Sequence, residues 1–155
     1  MGQEIERKFL LPAAPDWIGE HPSQQIEQGY LAVTDNAEVR IRRRGEDTTW
    51  AVKRGAGESR DEVELPVTPE AFDELWPLTE GRRVRKRRHV VALPGELSAE
   101  VDVYQGDLEG LVTAEVEFES TDAAREFDAP AWMGHEVTGD ERYANQRLAL
   151  GGPPA

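Results

Sequence analysis

Four pairs of carboxylates stand two residues apart within stretches that alternate as strands: Glu4 and Glu6, Glu62 and Glu64, Glu100 and Asp102, and Glu115 and Glu117. In an extended strand, residues i and i+2 point to the same face, so each pair presents two oxygen donors side by side. Hard divalent cations such as Mg²⁺ and Mn²⁺ prefer such ligands. Lys8 continues the face of Glu4 and Glu6 and adds a point charge suited to a phosphate on that metal, while Ile5, Arg7 and Phe9 take the other face. A single pair reads equally well as a solvated surface strand. Four pairs, interleaved with basic strands, point to a metal beside a polyanion.

The basic residues are concentrated in the same way. Of 18 lysines and arginines, ten fall in two windows: Arg40, Arg42, Arg43 and Arg44, then Arg82, Arg83, Arg85, Lys86, Arg87 and Arg88. The net charge is −13, which argues against bulk binding to nucleic acid or to an anionic membrane. An acidic chain with two basic strands suggests an internal anion site. Only three lysines occur, Lys8, Lys53 and Lys86, and each falls in an expected strand. Crowded carboxylates alone would repel phosphate, so a cation makes the acidic side useful and the basic side holds the non-bridging oxygens. That combination fits metal-assisted phosphoryl transfer to water. There is no glycine-rich phosphate loop of the Gly-x-x-x-x-Gly-Lys-Ser/Thr type. His21, His89 and His135 are scattered without metal-ligand spacing and read as ordinary histidines.

The elements that must position these groups are mostly strands. Alternation and turn signals predict them over residues 3–10, 28–33, 38–44, 49–54, 59–67, 83–91, 97–104 and 111–118. Thr68 as N-cap, Pro69 at the first helical position and Glu70 in the first turn start a helix that runs to about Trp76. Further helices are expected over 121–127 and 140–150. No βαβ alternation occurs, so the fold class is α+β, mainly antiparallel β. Most strands gather their charges on one face, with signs that differ between strands. A flat sheet with a wet charged face satisfies that pattern. So does a sheet closed into a barrel or tunnel, its charges inside and helices packed outside.

The length of 155 residues predicts one domain over 1–150, with residues 151–155 as a disordered tail. Without cysteine there is no disulfide, thiolate metal site or cysteine nucleophile. No apolar leader and no membrane-length segment is visible, so the expected location is the cytoplasm. Oligomeric state is left open, a homodimer included.

Taken together, the motifs resemble the CYTH domain, the triphosphate tunnel metalloenzymes, in a short bacterial form. Glu4-x-Glu6-x-Lys8 is similar to the defining motif. Gln28-Gly29-Tyr30-Leu31, Val39-Arg40-Ile41-Arg42, Val52-Lys53, Arg60-x-Glu62-x-Glu64, Lys86-x-Arg88, Glu100-Val101-Asp102-Val103-Tyr104, Gly110-Leu111 and Ala114-Glu115-Val116-Glu117 follow in order, ending on Glu136-Val137-Thr138-Gly139-Asp140-x-x-Tyr143-x-Asn145. The resemblance implies an eight-stranded, closed or nearly closed tunnel that binds a triphosphate with Mg²⁺ or Mn²⁺. It implies Glu4, Glu6, Glu115 and Glu117 as metal ligands. Lys8, Arg40, Arg42, Lys53, Lys86 and Arg88 would hold phosphates, and Arg60 would join them from a tunnel wall shared with Glu62, Glu64, Glu100 and Asp102. Alternation does not choose between Lys86/Arg88 and Arg85/Arg87 as the inward pair; the family pattern favours the former. No general base stands out; Tyr30 beside Lys53 is one candidate for orienting water, and a water activated by a second metal ion is the favoured alternative. The implied activity is inorganic tripolyphosphate hydrolysis. Alternatives are a nucleoside or thiamine triphosphatase, a class IV adenylyl cyclase, or a non-catalytic polyphosphate or nucleotide sensor.

Overall fold

The computed structural model describes residues 5–55 and 61–154. Its strands are β1 (Ile5–Leu11), β2 (Ser23–Val33), β3 (Ala37–Arg44), β4 (Asp47–Arg54), β5 (Asp61–Pro66), β6 (Arg83–Leu93), β7 (Leu97–Tyr104), β8 (Val112–Phe118) and the two-residue β9 (His135–Glu136). The helices are α1 (Pro69–Leu75), α2 (Thr121–Glu126) and α3 (Asn145–Gly151). Among the described residues they form one nine-stranded sheet in the order β5-β4-β3-β2-β6-β7-β8-β1-β9, every pairing antiparallel. No helix of the described residues is long and apolar enough to cross a membrane.

Two expectations are corrected. Among the described residues the sheet is not closed: β5 and β9 are its edges, and no ladder joins them, so the strands make a trough rather than a fully hydrogen-bonded barrel. Eight strands become nine because Glu136 and His135 pair with Phe9 and Leu10 on the outer side of β1. In addition, β2 starts at Ser23 rather than Gln28. Residues 23–25 lack apolar alternation, yet their backbones pair with Arg87, Arg88 and His89 of β6, and Gln25 exchanges side-chain hydrogen bonds with Gln105 at 2.6 and 3.1 Å.

The convex face carries the main core. Phe9, Val101, Ala114, Val116 and Met133 are buried there, with α2 and the 3₁₀ turns at Ile18–Glu20 and Ala131–Met133 as cover. Each fully buried Val or Phe contributes about 1.5–3 kcal/mol. Arg7 sits on this face as alternation requires, bound bidentately to Glu136 and donating to the carbonyls of Ala124 and Phe127. Thr68 caps α1 by accepting from Ala71 N at 3.1 Å, and Phe72 anchors that helix. The chain then tightens into a 3₁₀ turn over Trp76–Thr79, packed so closely on β2 that a Cβ at Gly29 would lie 2.6 Å from Thr79. Only glycine admits that approach.

The concave face is the polar one, except at one end. There α3 lays Leu148 and Ala149 against Tyr30, Val84 and Tyr104, and so fixes where the trough stops.

Candidate active site

Residues directly opposite on neighbouring antiparallel strands share a face. Glu6 faces Glu117, Lys8 faces Glu115, and Glu115 faces Glu100, so β1, β8 and β7 turn one row of charges inward. Asp102 faces Arg88, and Lys86 faces Tyr104. On the other limb Arg40 faces Tyr30, Arg42 faces Gln28, and Lys53 faces both Glu38 and Glu62. The trough between the limbs encloses about 780 Å³. Glu6, Lys8, Tyr30, Arg40, Arg42, Lys53, Glu62, Glu64 and Glu115 all line it. Lys86, Arg88, Glu100 and Asp102 lie on the same face. Arg85 and Arg87 are exposed, with Arg87 Nε on Ser23 Oγ at 2.8 Å. Glu4 and Arg60 lie outside the described residues.

The carboxylates converge at one place. One oxygen each from Glu6, Glu115 and Glu117 lie within 4.8 Å of one another. Burial first, then the hydrogen bond and charge of Glu6, push the Glu115 carboxyl up to about 7. Carboxylates crowded this closely repel, and either a proton or a cation relieves them. An all-oxygen donor set at a half-buried position fits a hard divalent cation.

The cations fall into two kinds. Asp102 accepts from Arg88 Nε and Nη2 at 2.8 and 3.0 Å and pairs with Lys86 Nζ at 2.8 Å, and Arg88 Nη1 lies 3.2 Å from Glu100. Burial would raise the Asp102 carboxyl, but Lys86 and Arg88 outweigh it and hold it below the usual range. Burial depresses Lys86, which is 2% exposed. This trio is a rigid wall. Arg40 and Arg42 are held more loosely: Glu38 and Glu62 stand 3.6 Å from Arg40, and Glu64 stands 3.7 Å from Arg42, beyond hydrogen-bond reach. These ion pairs are longer than hydrogen bonds, and Arg40 also reaches the Tyr30 hydroxyl.

Lys53 Nζ lies 3.8 Å from Glu62. The Tyr30 hydroxyl accepts from Gln28 Nε2 at 2.8 Å, and burial, then Glu38, raise its pKa. Both effects favour the protonated hydroxyl. Lys8 Nζ donates to the carbonyl of Tyr143 at 2.7 Å, so the segment before α3 is tied to the acidic limb. Asn145 Oδ1 meets Lys86 Nζ at 3.4 Å and Tyr104 Oη at 3.5 Å.

Sequence reasoning missed Glu38, Gln28 and Asn145 as trough residues. Glu38 shares the parity of Arg40 and Arg42, a signal that was available. Nothing in the local pattern around Asn145 indicates that it reaches β6 and β7.

Fold and site together define a trough of antiparallel strands in which an acidic limb faces a basic one. The chain belongs to the CYTH domain family, which it matches over residues 2–144. It is 46% identical over 151 residues to an inorganic triphosphatase of Nitrosomonas europaea, covering 97% of this chain and 99% of that one. An inorganic triphosphatase of Acetivibrio thermocellus is 35% identical over 151 residues, covering 96% and 94%. A crystal structure of an inorganic triphosphatase, 44% identical, superposes with a TM-score of 0.81 over 99% of both chains.

Proposed function

We propose that the protein hydrolyses inorganic triphosphate in the trough, with Mg²⁺ or Mn²⁺ held by Glu6, Glu115 and Glu117, joined by Glu4. The observation that carries this reading is the carboxylate cluster facing Arg40, Arg42 and Lys53 across a single cavity. The similarity to two inorganic triphosphatases supports the choice of substrate. So does the lining: among the described residues that form it, only Ala37, Gly55, Ala144 and the Tyr30 ring lack a polar surface, which offers little to a nucleobase.

Arg40, Arg42, Lys53 and Lys8 bind the non-bridging oxygens and hold the chain in line for attack by water. Lys86 and Arg88 contribute a fixed positive wall, aligned by Asp102 and Glu100. Glu62 and Glu64 keep the basic limb ordered, with Arg60 joining it. Tyr30, as a protonated hydroxyl, donates a hydrogen bond beside Lys53 and helps to orient the water. The bound cation would supply charge neutralisation and acidify water. The bridging P–O bond breaks and the products are pyrophosphate and orthophosphate.

The test is phosphate release from tripolyphosphate, ATP and thiamine triphosphate with Mg²⁺, with Mn²⁺ and with EDTA, for wild type and Glu6→Ala. Metal-dependent turnover, fastest on tripolyphosphate and lost in Glu6→Ala, is expected. Binding without turnover of any of the three would replace this reading with a sensor.

A further inference from the structure

Glu38 is a carboxylate on the wall of a trough built for an anion, yet it is 8% exposed. Its Oε2 is shielded from solvent and has no hydrogen-bond partner among the described residues. Burying a carboxylate oxygen this way is unfavourable, and such groups persist where they have work to do. Arg40 Nη1 stands 3.6 Å from that atom. The other terminal nitrogen of the same guanidinium, Nη2, stands 3.6 Å from Glu62 Oε1 on β5. Arg40 is thus flanked by two carboxylates, one on its own strand and one at the sheet edge. Carboxylates near opposite terminal nitrogens favour one orientation of the guanidinium plane without locking it. Glu38 also faces Lys53 across the β3–β4 ladder, and Arg40 faces Tyr30 across the β2–β3 ladder. The carboxylate therefore stands where the arginine, the lysine and the tyrosine of the basic limb meet.

We propose that Glu38 is a positioning residue for triphosphate hydrolysis: it sets the plane of the Arg40 guanidinium against the phosphate chain. The role differs from substrate attraction, because a negative charge beside a polyanion site weakens attraction. The two roles predict opposite kinetic signs. Removing the charge while keeping the shape should leave KM for tripolyphosphate unchanged or lower it. At the same time kcat should fall, because a misaligned clamp binds the chain but no longer holds it in line.

The proposal rests on the triphosphatase reading, and the experiment separates the two. Steady-state kinetics on tripolyphosphate are measured for wild type, Glu38→Gln, Arg40→Ala and the double variant, with thermal unfolding as a check of folding. Glu38→Gln should lose about 10–100-fold in kcat, the scale of a small misplacement at a reacting centre, without a rise in KM. In the Arg40→Ala background the same change should cost less than about twofold, because its target is gone. Wild-type kcat in Glu38→Gln, or an equal loss in both backgrounds, overturns the positioning role. If Glu38→Gln fails to fold, Arg40→Lys carries the test. It keeps the charge but lacks the planar fork, so kcat must fall similarly, and full kcat there overturns the proposal. A wild-type protein without turnover overturns the triphosphatase reading instead.

Discussion

Asp102 binds Arg88 through both carboxylate oxygens, at 2.8 and 3.0 Å, and Lys86 shares the same carboxylate. All three groups are largely withdrawn from water. Removing this anion takes the carboxylate from buried Lys86 and leaves Arg88 with Glu100 at 3.2 Å, and breaking a buried pair from one side costs about 3–5 kcal/mol. Asp102→Asn is expected to lose about that much unfolding free energy in chemical denaturation. Glu62→Gln, at an exposed carboxylate with contacts of 3.6 and 3.8 Å, should lose less than about 1 kcal/mol. Equal losses would mean that the trio is not the wall it resembles.

The same residue gives a pH dependence with a definite sign. Its carboxyl titrates lower in the folded protein than its ordinary value of 3.8. The unfolded chain therefore takes up the proton first as pH falls. The stabilisation is fully present above the unfolded value and is lost as pH drops below it. Acid titration of stability should show a steeper fall below about pH 4 in wild type than in Asp102→Asn. Parallel curves would remove Asp102 from the account of acid unfolding.

Parity alone showed which residues share a face: Glu6, Lys8, Arg40, Arg42, Lys53, Glu62, Glu64 and Glu115 carry charges at every second position of their strands. It did not show that this face turns inward, because a flat sheet with a wet charged face satisfies the same pattern. Glu38 shares that parity, but its burial depends on neighbours from other strands. Parity also fixed Lys86 and Arg88 to one common face without saying which face was inward. That choice depends on the apolar partners of Val84 and Val91, which sit far away in sequence. Closure was not legible. Whether a curved sheet seals depends on ladder bonds between its edges, and neither β5 nor the two-residue β9 carries a side-chain pattern that reports them. The start of β2 was hidden because Ser23, Gln24 and Gln25 are held by backbone pairing and an amide exchange, not by apolar alternation.

Metal binding can be read without activity. A ligand that binds only the folded state stabilises it by about 1.4 kcal/mol for each tenfold excess over its Kd. Mg²⁺ or Mn²⁺ should therefore raise the thermal midpoint of wild-type protein in a concentration-dependent way, and EDTA should reverse the shift. Glu117→Gln removes one oxygen donor from the cluster at an exposed position, so the protein should fold normally while the shift shrinks. A full shift in Glu117→Gln would place the cation elsewhere.

Arg42 and Arg88 are both arginines of the inward face, yet their substitution should do different things. Glu64 stands 3.7 Å from Arg42, so little folding energy is invested in that contact, while Arg88 is locked to Asp102. Arg42→Ala should leave stability within about 1 kcal/mol of wild type. It should lower kcat/KM on tripolyphosphate by about 10–150-fold, the value of one charge-assisted hydrogen bond of roughly 1.5–3 kcal/mol. Arg88→Ala leaves Asp102 paired to Lys86 alone and Glu100 facing the trough, so its first effect should be on stability, by about 3–5 kcal/mol. Denaturation and kinetics on the two variants, measured side by side, decide the point. If Arg88→Ala proved as stable as wild type and Arg42→Ala did not, the division into a fixed wall and a substrate-facing limb would be reversed.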